Sequence, residues 1–186
     1  MAKIALSNAH CQKAQGAQYH DERTEWLYAQ QVNAVARDWL EKLGHEVFLI
    51  EQGGSAREDL NKSVREINQL GVDCAVENHL NGSSDKKATY GSECICYPGS
   101  KSGRMLAADI MDCFRYLPFK QHGVTERRDL GFLRATNCPA VITEPFFITH
   151  EHENRFLDLD RGIEVVGNLI AEGILTWLTR QGGLHG

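Results

Sequence analysis

Strand-like and helix-like segments alternate through the first 79 residues of this chain. Residues 3–8 (Lys-Ile-Ala-Leu-Ser-Asn) read as a short first strand, followed by a loop rich in Gln, Gly and Ala up to about Asp21. Over residues 24–43, Leu27, Val32, Val35, Ala36, Trp39, Leu40 and Leu43 recur at near-helical spacing. Gly44 follows where a helix C-cap belongs. Residues 46–51 enclose the apolar run Val47-Phe48-Leu49-Ile50, which reads as a buried strand. Residues 58–70 are a second helix candidate closed by Gly71, and residues 72–78 a third strand leading to His79. Strand, helix, strand, helix, strand is the rhythm of crossover connections. It predicts an α/β fold with a single domain, in which a mostly parallel twisted central sheet is flanked by helices.

The rest of the chain extends this plan. Residues 90–97 follow a polar loop with no helix between, as an added or edge strand would. Residues 102–116 suggest a helix, 129–134 a short strand, 140–144 a buried strand behind Pro139, and 161–180 an amphipathic docking helix. At 186 residues, with neither linker nor internal repeat, 1–186 is expected to be a single domain with no separate second unit. The formal net charge of -5 argues against a nucleic-acid binder, which would present a basic face. No apolar run is long enough to cross a bilayer, so no membrane insertion is expected. The opening Met1–Leu6 segment is broken by Ser7-Asn8 too early for a signal peptide, which points to synthesis in the cytoplasm. Cys11, Cys74, Cys94, Cys96, Cys113 and Cys138 contain no CxxC pair and read as small buried hydrophobes, Cys94 and Cys96 sharing one strand face.

The ionisable residues are more informative. His10 falls just past the first strand, His79 at the end of the third, and Glu144 at the end of Ala140-Val141-Ile142-Thr143. In parallel α/β sheets, ligands bind outside the carboxyl ends of the strands, so these three converge on one crevice. Glu25, in the first turn of the first helix, can return to the same edge. Two histidines and a carboxylate form an open zinc site with a position left for water. A second carboxylate that is not a ligand can then move protons. Glu144 suits that task, because the flanking Val141-Ile142 and Pro145-Phe146-Phe147 should raise its pKa. Taken singly, each residue has a plainer role: a structural histidine, a first-turn glutamate favoured by the helix dipole, or a buried carboxylate with a satisfied partner.

The residues around these positions resemble the zinc-dependent N-acetylmuramoyl-L-alanine amidases, the amidase-3 family, over nearly the whole chain. Family members close strand one with a metal histidine, matched by His10, and open the first helix with a metal glutamate, matched by Glu25 better than by Glu22. Their second histidine sits in a Ser-Ile-His-Ala-Asn type segment; here it is Glu77-Asn78-His79-Leu80-Asn81. The later block Leu133-Arg134-Ala135-Thr136-Asn137-Cys138-Pro139-Ala140-Val141-Ile142-Thr143-Glu144-Pro145-Phe146-Phe147 matches best. This chain departs at Ala9-His10-Cys11-Gln12, where the family usually has Gly-His-Gly-Gly, and keeps only Gly16-Ala17 where Asp-Pro-Gly often follows.

The resemblance implies one Zn2+ on His10, Glu25 and His79, Glu144 as the catalytic glutamate, and Asn81 and Arg134 lining the substrate groove or stabilising the oxyanion. It implies hydrolysis of the amide between N-acetylmuramic acid and L-alanine in bacterial peptidoglycan. A phage or prophage endolysin, reaching the wall after release, fits a cytoplasmic start. The alternatives are a zinc peptidase acting on wall peptides and a non-catalytic wall-binding module. His20, His45, His122, His150, His152 and His185 are not expected as ligands, and His150 and His152 read as part of a solvated loop.

Overall fold

The computed structural model describes residues 1–19, 23–51, 56–85, 87, 90–159 and 161–183. Its strands are β1 (Lys3–Asn8), β2 (Gln18–Tyr19), β3 (Arg23–Thr24), β4 (Glu46–Ile50), β5 (Cys74–Asn78), β6 (Ser92–Cys96), β7 (Gln121–Glu126) and β8 (Ala140–Glu144). The helices are α1 (Glu25–Lys42), α2 (Ala56–Leu70), α3 (Lys101–Phe114), α4 (Gly131–Ala135) and α5 (Gly162–Gly183), with a 3-10 helix at Glu153–Asp158. Six strands form one sheet in the order β4-β1-β5-β8-β6-β7. β4, β1, β5 and β8 are mutually parallel, as the crossovers predict. β6 runs antiparallel to β8, and β7 runs parallel to β6.

The added strand at 90–97 is therefore real but lies inside the sheet, and β7 is the edge. β7 has no strong apolar alternation (Gln-His-Gly-Val-Thr-Glu), which is why its sequence does not announce a strand. Residues 129–134, expected as a strand, instead enter α4 at Gly131. Phe132 and Leu133 are both buried there, so a short helical turn has taken two adjacent apolar residues that a strand would send to opposite faces.

Side-chain alternation sorts the core into two layers. Ile4, Leu6, Val76, Cys94, Cys96 and Val141 pack with residues of α1, α3 and α5 on one face of the sheet. Ala5, Ala75, Ile95, Ala140 and Ile142 pack with Val64, Ile67, Phe132 and Leu133 of α2 and α4 on the other. Each fully buried Leu, Ile or Phe contributes roughly 1.5–3 kcal/mol relative to exposure. None of the six cysteines is in a disulfide; five are buried and Cys138 is half-buried, in agreement with a packing role. Gly44, in the left-handed region at φ 84°, ends α1 one residue past its cap.

Candidate metal centre

The carboxyl ends of β1, β5 and β8 lie side by side at one sheet edge, and each delivers one element of the site. β1 ends at Asn8, and two residues later His10 sits in the left-handed region at φ 60°. That is an uncommon conformation for a residue with a Cβ. It turns the chain sharply off the strand, and Cys11 and Ala14 then pair through two backbone hydrogen bonds of 3.2 and 3.0 Å. The tight turn carries the loop back to the start of α1. Thr24 caps that helix through its Oγ1, which accepts from the Leu27 N–H. Glu25 is the first helical residue, and its own N–H donates to the Ala17 carbonyl.

Glu25 is the centre of the cluster. Its Oε2 lies 3.2 Å from His10 Nε2 and its Oε1 3.2 Å from His79 Nδ1. The Ala17 N–H donates to Oε2 at 2.5 Å and the Leu80 N–H to Oε1 at 3.2 Å. Burial alone would push this carboxyl up; the two imidazoles outweigh it and hold the pKa at about 2. For His79, burial works against the charged ring, but Glu25 and Glu77 outweigh it and raise the pKa. One donor atom from each of His10, Glu25 and His79 can be chosen so that all three lie within 4.8 Å of one another. Among the described residues no other group of histidines, cysteines and carboxylates is so arranged.

Two imidazoles and an ionised carboxylate are the donor set of an open divalent-metal site, and three protein donors leave room for further ligands. The surroundings fit such an ion. Glu77 Oε2 lies 3.3 Å from His79 Nε2, so the far side of the ring is held by a carboxylate while Nδ1 faces Glu25. Carboxylates placed behind metal-binding imidazoles fix ring orientation in this way. Glu77 sits two residues after Ala75, so strand alternation turns both toward the α2 and α4 side.

Glu144 is placed by the same alternation, two residues after Ile142 at the end of β8. It lines a cavity of about 250 Å3 together with His10, Glu77, His79, Ile95, Phe132 and Arg127. Its Oε2 is shielded from solvent and has no hydrogen-bond partner. Burial above all, reinforced by the negative charges of Glu25, Glu93 and Glu77, pushes its pKa up to about 8, even against the pull of His79. A carboxyl titrating there can both take and give a proton near neutral pH.

A profile of the N-acetylmuramoyl-L-alanine amidase family matches residues 4–176. The chain belongs to this family. The amidase shares its fold with the CwlD amidase of Clostridioides difficile, solved in complex with the GerS lipoprotein, at a TM-score of 0.86 and 20% identity over 96% of this chain and 99% of that one. The catalytic domain of CwlV, the N-acetylmuramoyl-L-alanine amidase of Bacillus (Paenibacillus) polymyxa var. colistinus, gives the same four values. The catalytic domain of an endolysin targeting Clostridia difficile has a TM-score of 0.80 and 26% identity over 95% of this chain and 98% of its own. No curated protein sequence matches significantly.

Gly16 and Arg127 also bear on the geometry of this site. Gly16, at φ 76°, passes so close that a Cβ would come within 2.5 Å of the His10 ring and of Glu25 Oε2. A glycine that packs against two ligand-type side chains is visible only in three dimensions. Arg127 reaches the cavity, whereas Arg134 is exposed beside Cys138, Pro139 and Ala140, at the amino end of β8. Asn81 does lie near the site, but its Nδ2 donates to Glu93 Oε1 at 2.8 Å, and Thr125 donates to the other Glu93 oxygen. His150 is not part of a solvated loop. It is buried, and its Nδ1 accepts from the Glu153 N–H. His152 is exposed. Glu22, His20 and His185 lie outside the described residues.

Proposed function

We propose that this amidase hydrolyses the amide between the lactyl group of N-acetylmuramic acid and L-alanine in peptidoglycan, with one zinc ion held by His10, Glu25 and His79. The observation that carries this reading is the convergence of those three donors beside Glu144, which lines the cavity with a buried Oε2 that has no hydrogen-bond partner. Zinc in such a site supplies a Lewis acid for the scissile carbonyl and acidifies water.

The protein's own residues do the rest. Glu25 stays ionised beside both imidazoles, and Glu77 keeps His79 turned toward it. Ionised Glu144 takes a proton from the attacking water as oxygen bonds to the acyl carbon, then passes it to the alanine nitrogen as the C–N bond breaks. The products are the lactyl carboxylate on the sugar and a stem peptide with a free N-terminal alanine. Leu60, Ile95, Leu130, Phe132 and Ile142 give the cavity an apolar wall that limits water around Glu144. Arg127 adds a guanidinium to the lining.

Mass spectrometry of purified peptidoglycan treated with the protein, with and without a chelator, tests this. The expected result is stem peptides with new N-terminal alanine, lost on chelation and restored by zinc. Release of single terminal amino acids with the sugar–peptide bond intact would replace this reading with a peptidase. A wall pellet that retains the protein without any products would replace it with a binding module. The likeness to an endolysin catalytic domain supports a phage or prophage lysis role. In that role, expression in the host should lyse cells only when a membrane pore is opened at the same time.

A further inference from the structure

A line of buried polar side chains runs beneath the site, on the face of the sheet opposite the cavity. The Thr143 hydroxyl donates to Asn78 Oδ1 at 2.5 Å, Asn78 Nδ2 to Asn33 Oδ1 at 2.5 Å, and Asn33 Nδ2 to Asn8 Oδ1 at 2.7 Å. Thr143, Asn78 and Asn33 are fully buried and Asn8 is 4% exposed. Four polar groups in an apolar layer cost stability unless each is satisfied, and hydrophobic residues of similar size would fill that space more cheaply. The two central amides use both their oxygen and one nitrogen, so the bonds run head to tail in one direction and polarise one another.

The position of the line is informative. Asn78 precedes His79 and Thr143 precedes Glu144. Asn8 stands two residues before His10, and Asn33 lies on α1, the helix that Glu25 opens. One chain of three hydrogen bonds thus joins β8, β5, α1 and β1, the four elements that present the four site residues, meeting the three strands near their carboxyl ends and α1 about two turns in from Glu25.

We propose that Asn8, Asn33, Asn78 and Thr143 are positioning residues, a buried brace that sets the spacing of His10, Glu25 and His79 and the reach of Glu144. This rests on the metal-site reading above, and the test keeps the two separate. Asn33→Leu keeps the branched outline of the side chain and breaks both bonds that Asn33 makes, from Asn78 and to Asn8. Thr143→Val keeps the shape and removes the donor, and Thr143→Ser restores it. Zinc affinity is measured by competition with a chromophoric chelator, geometry by the visible spectrum of the cobalt-substituted protein, and kcat and KM at saturating metal well below each variant's Tm.

The brace predicts that folded Asn33→Leu binds zinc ~10-fold or more weakly, with a shifted cobalt spectrum. It predicts that Thr143→Val loses kcat ~10-fold at nearly unchanged KM and that Thr143→Ser recovers it. Lowered Tm with wild-type zinc affinity, cobalt spectrum and kcat would make the line a stability feature only and overturn the proposal. If Asn33→Leu does not fold, the Thr143 pair decides the matter. Failure of the wild-type protein itself to bind zinc or cobalt would instead overturn the metal-site reading.

Discussion

Glu144 carries the sharpest expectations at the scale of single residues. Under the proposed mechanism Glu144→Gln should lower kcat by ~100-fold or more while leaving zinc binding intact, since Glu144 there moves the proton and lies outside the donor cluster. Metal titration alongside steady-state kinetics checks both halves. Its pKa also sets a pH dependence of stability. The carboxyl titrates near 4.5 in the unfolded chain and at about 8 in the fold, so folding takes up a proton between those values. Its contribution is fully present below 4.5 and is lost as the pH rises through 8. Metal-free Glu144→Gln has no charge to desolvate, so in thermal melts its Tm should exceed wild type by a few degrees above pH 8 and match it near pH 4.5. Glu25 has the opposite sign: held at about 2, it contributes above 4.5 and loses that contribution as the pH falls toward 2. Gly16→Ala would drive a methyl group into His10 and Glu25 from a left-handed backbone position. It should weaken zinc binding ~10-fold or more by calorimetry, with a smaller loss of global stability.

Among the elements, α5 shows how closely the helical layer is drawn together. Glycine in a helix interior costs about 1 kcal/mol relative to alanine, so its presence at two α5 positions calls for a reason. A Cβ on Gly173 would meet the Ile110 backbone of α3 at 2.6 Å, and one on Gly167 would meet Val35 of α1 at 2.7 Å. These glycines let α5 lie tight against both neighbours. Gly173→Ala should therefore destabilise by ~1–3 kcal/mol despite its better helix propensity, read as a lower urea midpoint with unchanged slope. The same change at an exposed helix position would stabilise. The elements also show where local sequence speaks clearly. α1 carries apolar residues at near-helical spacing and β4 an apolar run, both legible in the sequence, whereas β7 lies at the sheet edge with half-exposed polar residues and is not. Residues 129–134 misled because two adjacent apolar residues satisfy either a strand or a single helical turn.

For the whole molecule, the catalytic edge is a product of topology. β1, β5 and β8 are adjacent and parallel, so residues 10, 79 and 144 arrive together although more than sixty residues separate each from the next. Because the donors come from separate elements, zinc held as proposed would tie the fold together. Zinc in large excess over its Kd should raise the Tm, and chelation should reverse the rise, as linkage requires. With none of the six cysteines in a disulfide, reductant should leave the Tm unchanged.

The amino-acid order by itself determined the α/β class, the parallel core of the sheet and the candidates His10, Glu25, His79 and Glu144. Periodicity, strand ends and helix starts are local properties, and a residue's place relative to them can be read along the chain. The tertiary structure alone decided which face each strand turned to the cavity, and so brought Glu77 behind His79 and Arg127, rather than Arg134, to the wall. It alone decided that Gly16 must be small and that Asn8, Asn33, Asn78 and Thr143 meet. These are contacts between segments distant in sequence. Their energy depends on separations of a few ångströms that no local pattern encodes.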